Sequence, residues 1–347
     1  MRDIRIYDFN FNLLSIMSDI ISSSWTIKYN DIGTYEGHFR LNDRISDIFL
    51  DTPYIILTEG ENQAVCTGKI AENELLICGR TINWLFKKRV LPPFKTREIF
   101  GDEFQDPKTI LDYILTISYI SPPEIDEDGN FIENTVDEKR KVSNFNLSSY
   151  AHPEKLTRHF WRNSANSVDE IVHDLCDIMG TGHRLYFNVK NKSWDFEMLL
   201  GDTKNIILSE KHNNFFDVSY TEDIENYSTA GWYDDNINSE TNENIWRYIF
   251  KDDGFCGMLY WESVLGGIGK SEAESSLSSK CKNINIQGQV RHLTFGDDYS
   301  LGDTLKILVK FGNFEKFFLY KVIGVNIWQN ESNKGQEPIL KLIKEEI

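Results

Sequence analysis

The most constraining feature of the sequence is a two-residue alternation of apolar and polar side chains over residues 1 to about 80. Ile4 and Ile6 alternate with polar neighbours, and so do Trp25, Ile27 and Tyr29. Such alternation gives each strand one buried face and one solvated face. Turn-forming residues separate the runs. The pattern predicts a small antiparallel barrel or sandwich at the start of the chain.

A basic and aromatic stretch, Gly79–Phe94, follows these strands. Trp84 and Phe86 provide an apolar anchor beside three successive cationic side chains. The double proline Pro92-Pro93 then ends any regular element, because proline lacks the amide donor and restricts the residue before it. We interpret this stretch as the boundary between the first β region and a region that contains helices.

The middle of the chain carries helix signals and one hairpin signal. Asp106-Pro107 is expected to start a helix, and the capping box that begins at Ser167 predicts another from about Val168 to Met179. Two alternating runs around Asn191-Lys192 predict a β-hairpin. The polar segment 121–150 is expected to be a long exposed excursion or hairpin.

Strand patterns return from Phe215 to the end of the chain. A second capping box at Ser271 predicts one further helix among them. With 347 residues the chain exceeds the size of a single core, which rarely grows beyond about 250 to 300 residues. The predicted class is α+β, predominantly β. The predicted domains are 1–95, barrel-like; 96–214, α+β; and 215–347, barrel-like with a helical insertion near 270–283.

Charge and cysteine content narrow the possible functions. The net charge of −17 disfavours binding to the nucleic-acid backbone. The five cysteines are scattered without a CxxC pair, which argues against a disulfide framework and a zinc site. The N-terminus lacks the apolar core of a signal peptide, and no apolar run approaches 18 residues. We therefore expect a soluble protein that folds in a reducing compartment.

The search for catalytic, cofactor-binding and metal-binding residues selects none. The run from Gly266 to Ser271 ends in GKS like a phosphate-binding loop, but Val264 stands where that motif requires glycine. His173 and Cys176 lie on one predicted helix without further ligands nearby. Hydrolase motifs such as GxSxG and HExxH are missing. The 54 acidic residues leave a glycosidase pair open, because such pairs form in space and not in sequence.

Several segments resemble one family in the same order along the chain. The opening Ile4–Asp19 is similar to the first hairpin of that family, Trp25–Leu41 to its next two strands, and Gly79–Phe94 to its matching boundary segment. Phe216–Tyr233 is similar to the start of its second barrel, and Tyr299–Asp303 to a YxLGD turn before its last strands. The family is that of the tail hub proteins of long-tailed phages of Gram-positive bacteria, also called tail-associated or baseplate hub proteins.

The resemblance implies a structural, non-enzymatic protein of the tail tip. Two hub barrels in each protomer would let a trimer cap the six-fold tail tube. Partners would be two further copies of the chain, the distal tail and tail tube proteins, and a tail fibre or receptor-binding protein, with no membrane. DNA would only pass through an acidic lumen. Two alternatives stay open: a tail-associated cell-wall hydrolase, and a carbohydrate-binding tail module suggested by the eight tryptophans.

The expected location is the virion tail tip, after folding and assembly in the bacterial host cytoplasm.

Overall fold

The computed structural model describes residues 3–18, 20–41, 48–49, 52, 54–95, 99–100, 106–127, 129–149, 161–162, 164–237, 244–251, 254 and 256–346. The chain forms two compact units. The first unit contains residues 1–217 and 288–347, and the second contains residues 218–287. Strands dominate the described residues, which confirms the prediction of a predominantly β protein with some helices.

Seven strands from the start of the chain form one antiparallel sheet. They are β1 (Ile4–Tyr7), β2 (Leu13–Met17), β3 (Ile20–Lys28), β4 (Thr34–Arg40), β5 (Ile56–Glu59), β6 (Asn62–Ala71) and β7 (Glu74–Thr81). Their hydrogen-bonded order is β2-β1-β5-β6-β7-β4-β3. The predicted alternation is confirmed in β1, where Ile4 and Ile6 are buried and Arg5 between them is exposed.

The region that follows contains short strands, helices and a longer hairpin. Its strands are β8 (Val90–Leu91), β9 (Phe94–Lys95), β10 (Glu124–Ile125), β11 (Phe131–Ile132), β12 (Phe145–Asn146), β13 (Trp161–Arg162), β14 (Asn166–Ser167), β15 (Gly182–Asn188), β16 (Ser193–Leu199) and β17 (Thr203–Leu208). Its α-helices are α1 (Pro107–Leu115) and α2 (Val168–Ile178), with a 3-10 helix at Ile82–Lys88, a π-helical turn at Thr116–Ile120 and a 3-10 turn at Glu210–His212.

Two of the three predicted helix starts, at Asp106 and Ser167, are confirmed by the caps themselves. The Thr109 N–H donates to the Asp106 carboxylate at 3.0 Å before α1, and the Glu170 N–H donates to the Ser167 hydroxyl at 3.3 Å before α2. These bonds satisfy amide donors that a first helical turn leaves open. The predicted hairpin is confirmed as β15 and β16. Within segment 121–150, β10 and β11 form a small exposed hairpin.

The boundary stretch Gly79–Phe94 has both buried and exposed side chains. Phe86 is fully buried and contacts the rings of Tyr119 and Phe196, so the 3-10 helix at Ile82–Lys88 is part of the core that includes α1, α2, β15 and β16. The Lys88 side chain is exposed, and its ammonium group lies over the Trp84 ring, 4.2 Å from the ring centroid. The basic, aromatic sequence thus combines a core anchor with a solvated face.

Two side-chain amides take the place of a neighbouring strand along one edge of β15. Gln63 accepts from the Phe187 N–H at 2.8 Å and donates to the Phe187 C=O at 2.9 Å. Asn83 accepts from the Leu185 N–H at 2.7 Å and donates to the His183 C=O at 3.2 Å. All four bonds are buried. They hold the β15–β16 hairpin in register against the N-terminal sheet, because alternate backbone groups of an edge strand point the same way.

The last strands are β18 (Phe215–Asp223), β19 (Ala230–Ile237), β20 (Asn244–Phe250), β21 (Glu262–Ile268), β22 (Asn283–Val290), β23 (Thr304–Phe311), β24 (Phe314–Asn330) and β25 (Lys334–Glu346). Helix α3 (Lys270–Ser279) and a 3-10 turn (Gly257–Leu259) lie among them. A helix is therefore present where the sequence predicts one, but the predicted capping box at Ser271 is wrong, because the helix begins at Lys270 with Gly269 as its N-cap residue and no side-chain cap.

Strand β24 joins the two ends of the chain within the first unit. Its first half pairs with β23, and its second half, from Gly324, pairs with β3. Strand β25 pairs along β24 from Phe317 to Gln329, while β17 adds to β23 in parallel. The result is one sheet of eleven strands. Among the described residues no closed barrel is detected, so the arrangement of two barrels stays a prediction.

The Tyr299–Asp303 turn begins this C-terminal meander. Gly302 has a φ of +88°, and a Cβ there would lie 2.5 Å from the ring of Tyr29. The buried Asp303 carboxylate accepts from the N–H groups of Asp202 at 2.8 Å and Ser300 at 2.7 Å. Glycine and aspartate are thus required here by backbone conformation and by buried amide donors. The division into domains 1–95, 96–214 and 215–347 stays a prediction.

Candidate interaction surface

The second unit is built on a mixed three-stranded sheet with the order β20-β19-β21. Strand β20 is antiparallel to β19, and β21 is parallel to it. Helix α3 covers one face, where Ala273 and Leu277 pack against Tyr233 and Leu265. This small apolar core leaves the opposite face of the sheet without a helix among the described residues.

That opposite face carries a dense group of exposed aromatic and apolar side chains. The exposed fractions are 47% for Trp232, 50% for Trp246, 64% for Phe250 and 71% for Val264. The register aligns Trp232 with Tyr248 on one side and Val264 on the other, and the Trp232 and Tyr248 rings lie 4.9 Å apart. Large exposed apolar patches of this kind usually mark interaction sites. We call Trp232, Trp246, Tyr248, Phe250 and Val264 the aromatic face.

A hydrogen-bonded group of polar side chains borders the aromatic face. The Tyr248 hydroxyl donates to the Glu262 carboxylate at 2.7 Å and lies 2.9 Å from the Tyr260 hydroxyl. Desolvation together with these two partners raises the pKa of the Tyr248 phenol above its ordinary value. The phenol therefore stays protonated at neutral pH and can donate to the Glu262 carboxylate.

Strand β20 also has an open backbone edge. The Lys251 N–H donates to the Thr229 C=O at 2.7 Å. Because the backbone groups of every second residue point to the same side of a strand, those of Arg247 and Ile249 also face β19. Those of Trp246, Tyr248 and Phe250 then point away from the sheet. No other described strand pairs with this edge, nor with the outer edge of β21.

The motifs that the sequence singled out do not assemble into a catalytic site. The glycine-rich run is the start of α3, where Gly269 has a φ of +90° and its N–H donates to the Asp234 C=O at 2.8 Å. His173 is exposed and contacts the backbone carbonyl of Asn30, whereas Cys176 is buried. Burial raises the pKa of the Cys176 thiol to about 12, which makes it a poor nucleophile.

Among the described residues, no group of three or more His, Cys, Asp or Glu side chains could hold a metal ion. The helices in this described part of the chain are also all too short or too polar to cross a membrane.

The sequence did not reveal the aromatic face, because strand patterns around tryptophans such as Trp25, Trp194 and Trp328 favour packing in the core. Trp25 and Trp194 are indeed buried, while Trp328 is partly buried. Trp232 and Trp246 are exposed. The sequence of β20 did contain a signal. Large apolar side chains occur on both faces of this strand, in the run Ile245-Trp246-Arg247-Tyr248-Ile249-Phe250, although a helix covers only one face of the described sheet.

The fold itself resembles that of solved tail proteins. The 43 kDa tail protein of prophage MuSo2 from Shewanella oneidensis matches with a TM-score of 0.59 at 9% identity, covering 99% of this chain and 98% of that one. A tail protein from Neisseria meningitidis MC58 matches with a TM-score of 0.59 at 9% identity, over 99% and 96%. Prophage tail protein gp18 from Listeria monocytogenes EGD-e matches with a TM-score of 0.55 at 13% identity, over 99% and 95%. The fold is thus that of prophage tail proteins.

Residues 3–242 match a family model, and the chain belongs to this family, the Siphovirus ReqiPepy6 Gp37-like proteins. The sequence has no match among curated proteins. The family and the solved structures confirm the expected kinship with phage tail proteins. The restriction to phages of Gram-positive bacteria stays a prediction.

Proposed function

We propose that this protein is a structural hub of a phage tail or a phage-tail-like particle. In this proposal three copies form a ring that caps the tail tube and joins it to the tail tip. The observation that carries the proposal is the likeness of the fold over 95% or more of both chains to three tail proteins, two of them from prophages. Such coverage is more informative than a shared domain, because the likeness extends over nearly the whole length of both chains.

The proposed ring explains the organisation that the sequence suggests. Two barrel-like modules, within 1–95 and 215–347, would give a trimer six similar positions against a six-fold tube. Heterologous contacts of identical subunits close into rings when the rotation allows it. The net charge of −17 supports a passage that DNA crosses without binding. The role is structural, so no catalytic residue is assigned.

Light scattering and native mass spectrometry test this function. The protein is measured alone, mixed with the tail tube protein, and mixed with the distal tail protein encoded with it. We expect a complex with three copies of this chain, and electron microscopy of the intact particle should show it at the tail tip. A monomer under all three conditions would overturn the proposal, and so would a location away from the tail tip. Clearing of purified cell walls in a zymogram would instead favour a hydrolase.

A further inference from the structure

Among the described residues of the second unit, both outer edges of the sheet lack a strand partner and the aromatic face has no helix over it, while the Gly266 N–H of β21 donates to the Ser276 hydroxyl at 3.2 Å. Edges with unpaired N–H and C=O groups readily pair with another strand, and proteins normally block them with charges, prolines or bulges. Strand β20 instead presents Trp246, Tyr248 and Phe250 at its open edge. Both features point to an occupant that supplies an extended backbone.

We propose that this occupant is a second copy of the chain, with β20 of one protomer pairing with β21 of the next. This inference rests on the proposed ring and names its contact. The directions are compatible: β20 is antiparallel to β19 and β21 is parallel to it, so neighbouring β20 and β21 would run antiparallel around a three-fold axis. One contact repeated three times would use both open edges of every protomer.

Closure would also bury the aromatic face. Helix α3 occupies the other face of the sheet, so a ring of three such sheets has space for the helices only on its outside. Trp232, Trp246, Phe250 and Val264 would then line the inside. A barrel of about eight strands has an interior that side chains fill. The ring of nine strands, three from each protomer, would therefore replace exposed aromatic surface by a packed core.

The charge of the second unit argues against polyanionic occupants that offer no strand to pair with its edges. Residues 218–287 contain twelve acidic and five basic side chains, a net charge of −7. Nucleic acids and anionic wall polymers would be repelled. A neutral glycan could stack on the rings, but it would leave the backbone groups of Trp246, Tyr248 and Phe250 at the edge unpaired. A strand from another protein can cover the rings and also pair with these backbone groups.

Lysine substitutions at the edge test the contact. The variant combines Trp246→Lys and Phe250→Lys in the full chain, and the control is Ile178→Lys, because Ile178 at the end of α2 in the first unit is 47% exposed. Loss of one hot-spot aromatic side chain costs about 2 kcal/mol, so self-association should weaken by about 30-fold or more in the edge variant and remain unchanged in the control. Sedimentation velocity measures association, and circular dichroism checks that each variant is folded.

Cysteine pairs test the geometry. In a background with the exposed Cys256 and Cys281 changed to serine, one cysteine is placed at position 246, 248 or 250 and the other at position 264. The proposed pairing predicts covalent dimers and trimers only when β20 and β21 both carry a cysteine. Each single-cysteine variant is the matched control.

The outcomes separate this inference from the proposed function. A wild-type trimer that the edge lysines leave intact would overturn the inference and leave the hub standing. Crosslinking of the position 246 cysteine variant to itself would show β20 pairing with β20, which also overturns the inference. A wild-type monomer under every condition would remove the ring itself. Binding of a monomeric protein to peptidoglycan sacculi that the edge lysines abolish would assign the aromatic face to a glycan instead.

Discussion

The buried amide of Asn83 offers the sharpest test of how the first unit is held together. It joins the 3-10 helix at Ile82–Lys88 to the open edge of β15 through the Leu185 N–H and the His183 C=O. We consider Asn83→Leu, which keeps the branching at Cγ, leaves no cavity because leucine is the larger residue, and removes both bonds. Because the pocket retains an apolar side chain, the change isolates hydrogen bonding from cavity formation.

The expected loss follows from two backbone groups left buried without partners. An unsatisfied buried donor or acceptor costs about 1 to 3 kcal/mol, so the two groups left by Asn83→Leu should lower the free energy of unfolding by about 2 to 6 kcal/mol. Gln63→Leu removes the equivalent pair at Phe187 and should cost a similar amount. The matched control is Asn146→Ala, because the exposed Asn146 side chain donates to Asp195 at 2.7 Å and surface changes stay within about 0.5 kcal/mol.

Amide hydrogen exchange read by mass spectrometry follows this loss locally. The amides of β15 should exchange about tenfold faster for every 1.4 kcal/mol lost. Urea unfolding gives the global value. An Asn83→Leu variant as stable as the wild type, with unchanged protection of Leu185, would refute the reasoning, since it would mean that the edge of β15 is satisfied without the side-chain amide.

Three further predictions concern single positions in the first unit and the exposed thiols. Gly302→Ala should destabilise the protein by at least about 1 to 2 kcal/mol. Gly312→Ala should cost less in thermal unfolding, because both glycines have a positive φ but only a Cβ at Gly302 would meet another residue. Equal losses in the two variants would contradict the close approach at Gly302. Burial lowers the pKa of His183 to about 3. The contribution of the neutral imidazole to the free energy of unfolding is therefore fully present above the ordinary pKa of 6.5, and it is lost as the pH falls from 6.5 towards 3. Unfolding of His183→Phe should show a shallower pH dependence over that range, by up to about 1.4 kcal/mol per pH unit, and parallel curves would argue against a neutral buried imidazole. Iodoacetamide should label the exposed Cys256 and Cys281 in the native protein and spare the buried Cys176 until denaturant is added, as peptide mass spectrometry would show; native labelling of Cys176 would contradict its burial.

Local features of the fold could be predicted from the sequence because short-range physics sets them. The caps at Asp106 and Ser167 satisfy amides three residues away, and the β15–β16 hairpin needs only alternating side chains around a turn at Asn191-Lys192. Strand periodicity at both ends of the chain fixed the predominantly β class. The absence of a catalytic motif in the sequence favoured a structural role, and that role stays a prediction.

Pairing between distant segments was decided only by the tertiary structure. The Thr26 hydroxyl donates to the Asn326 side chain 300 residues away, where β3 meets β24, and no local pattern specifies that partner. The same holds for the parallel addition of β17 to β23 and for the amides that replace a strand beside β15. Alternation tells which face of a strand is buried, but any strand edge offers the same backbone groups. The choice between edges therefore rests on the shape and packing of the whole unit, which also leaves Trp232 and Trp246 outside the core.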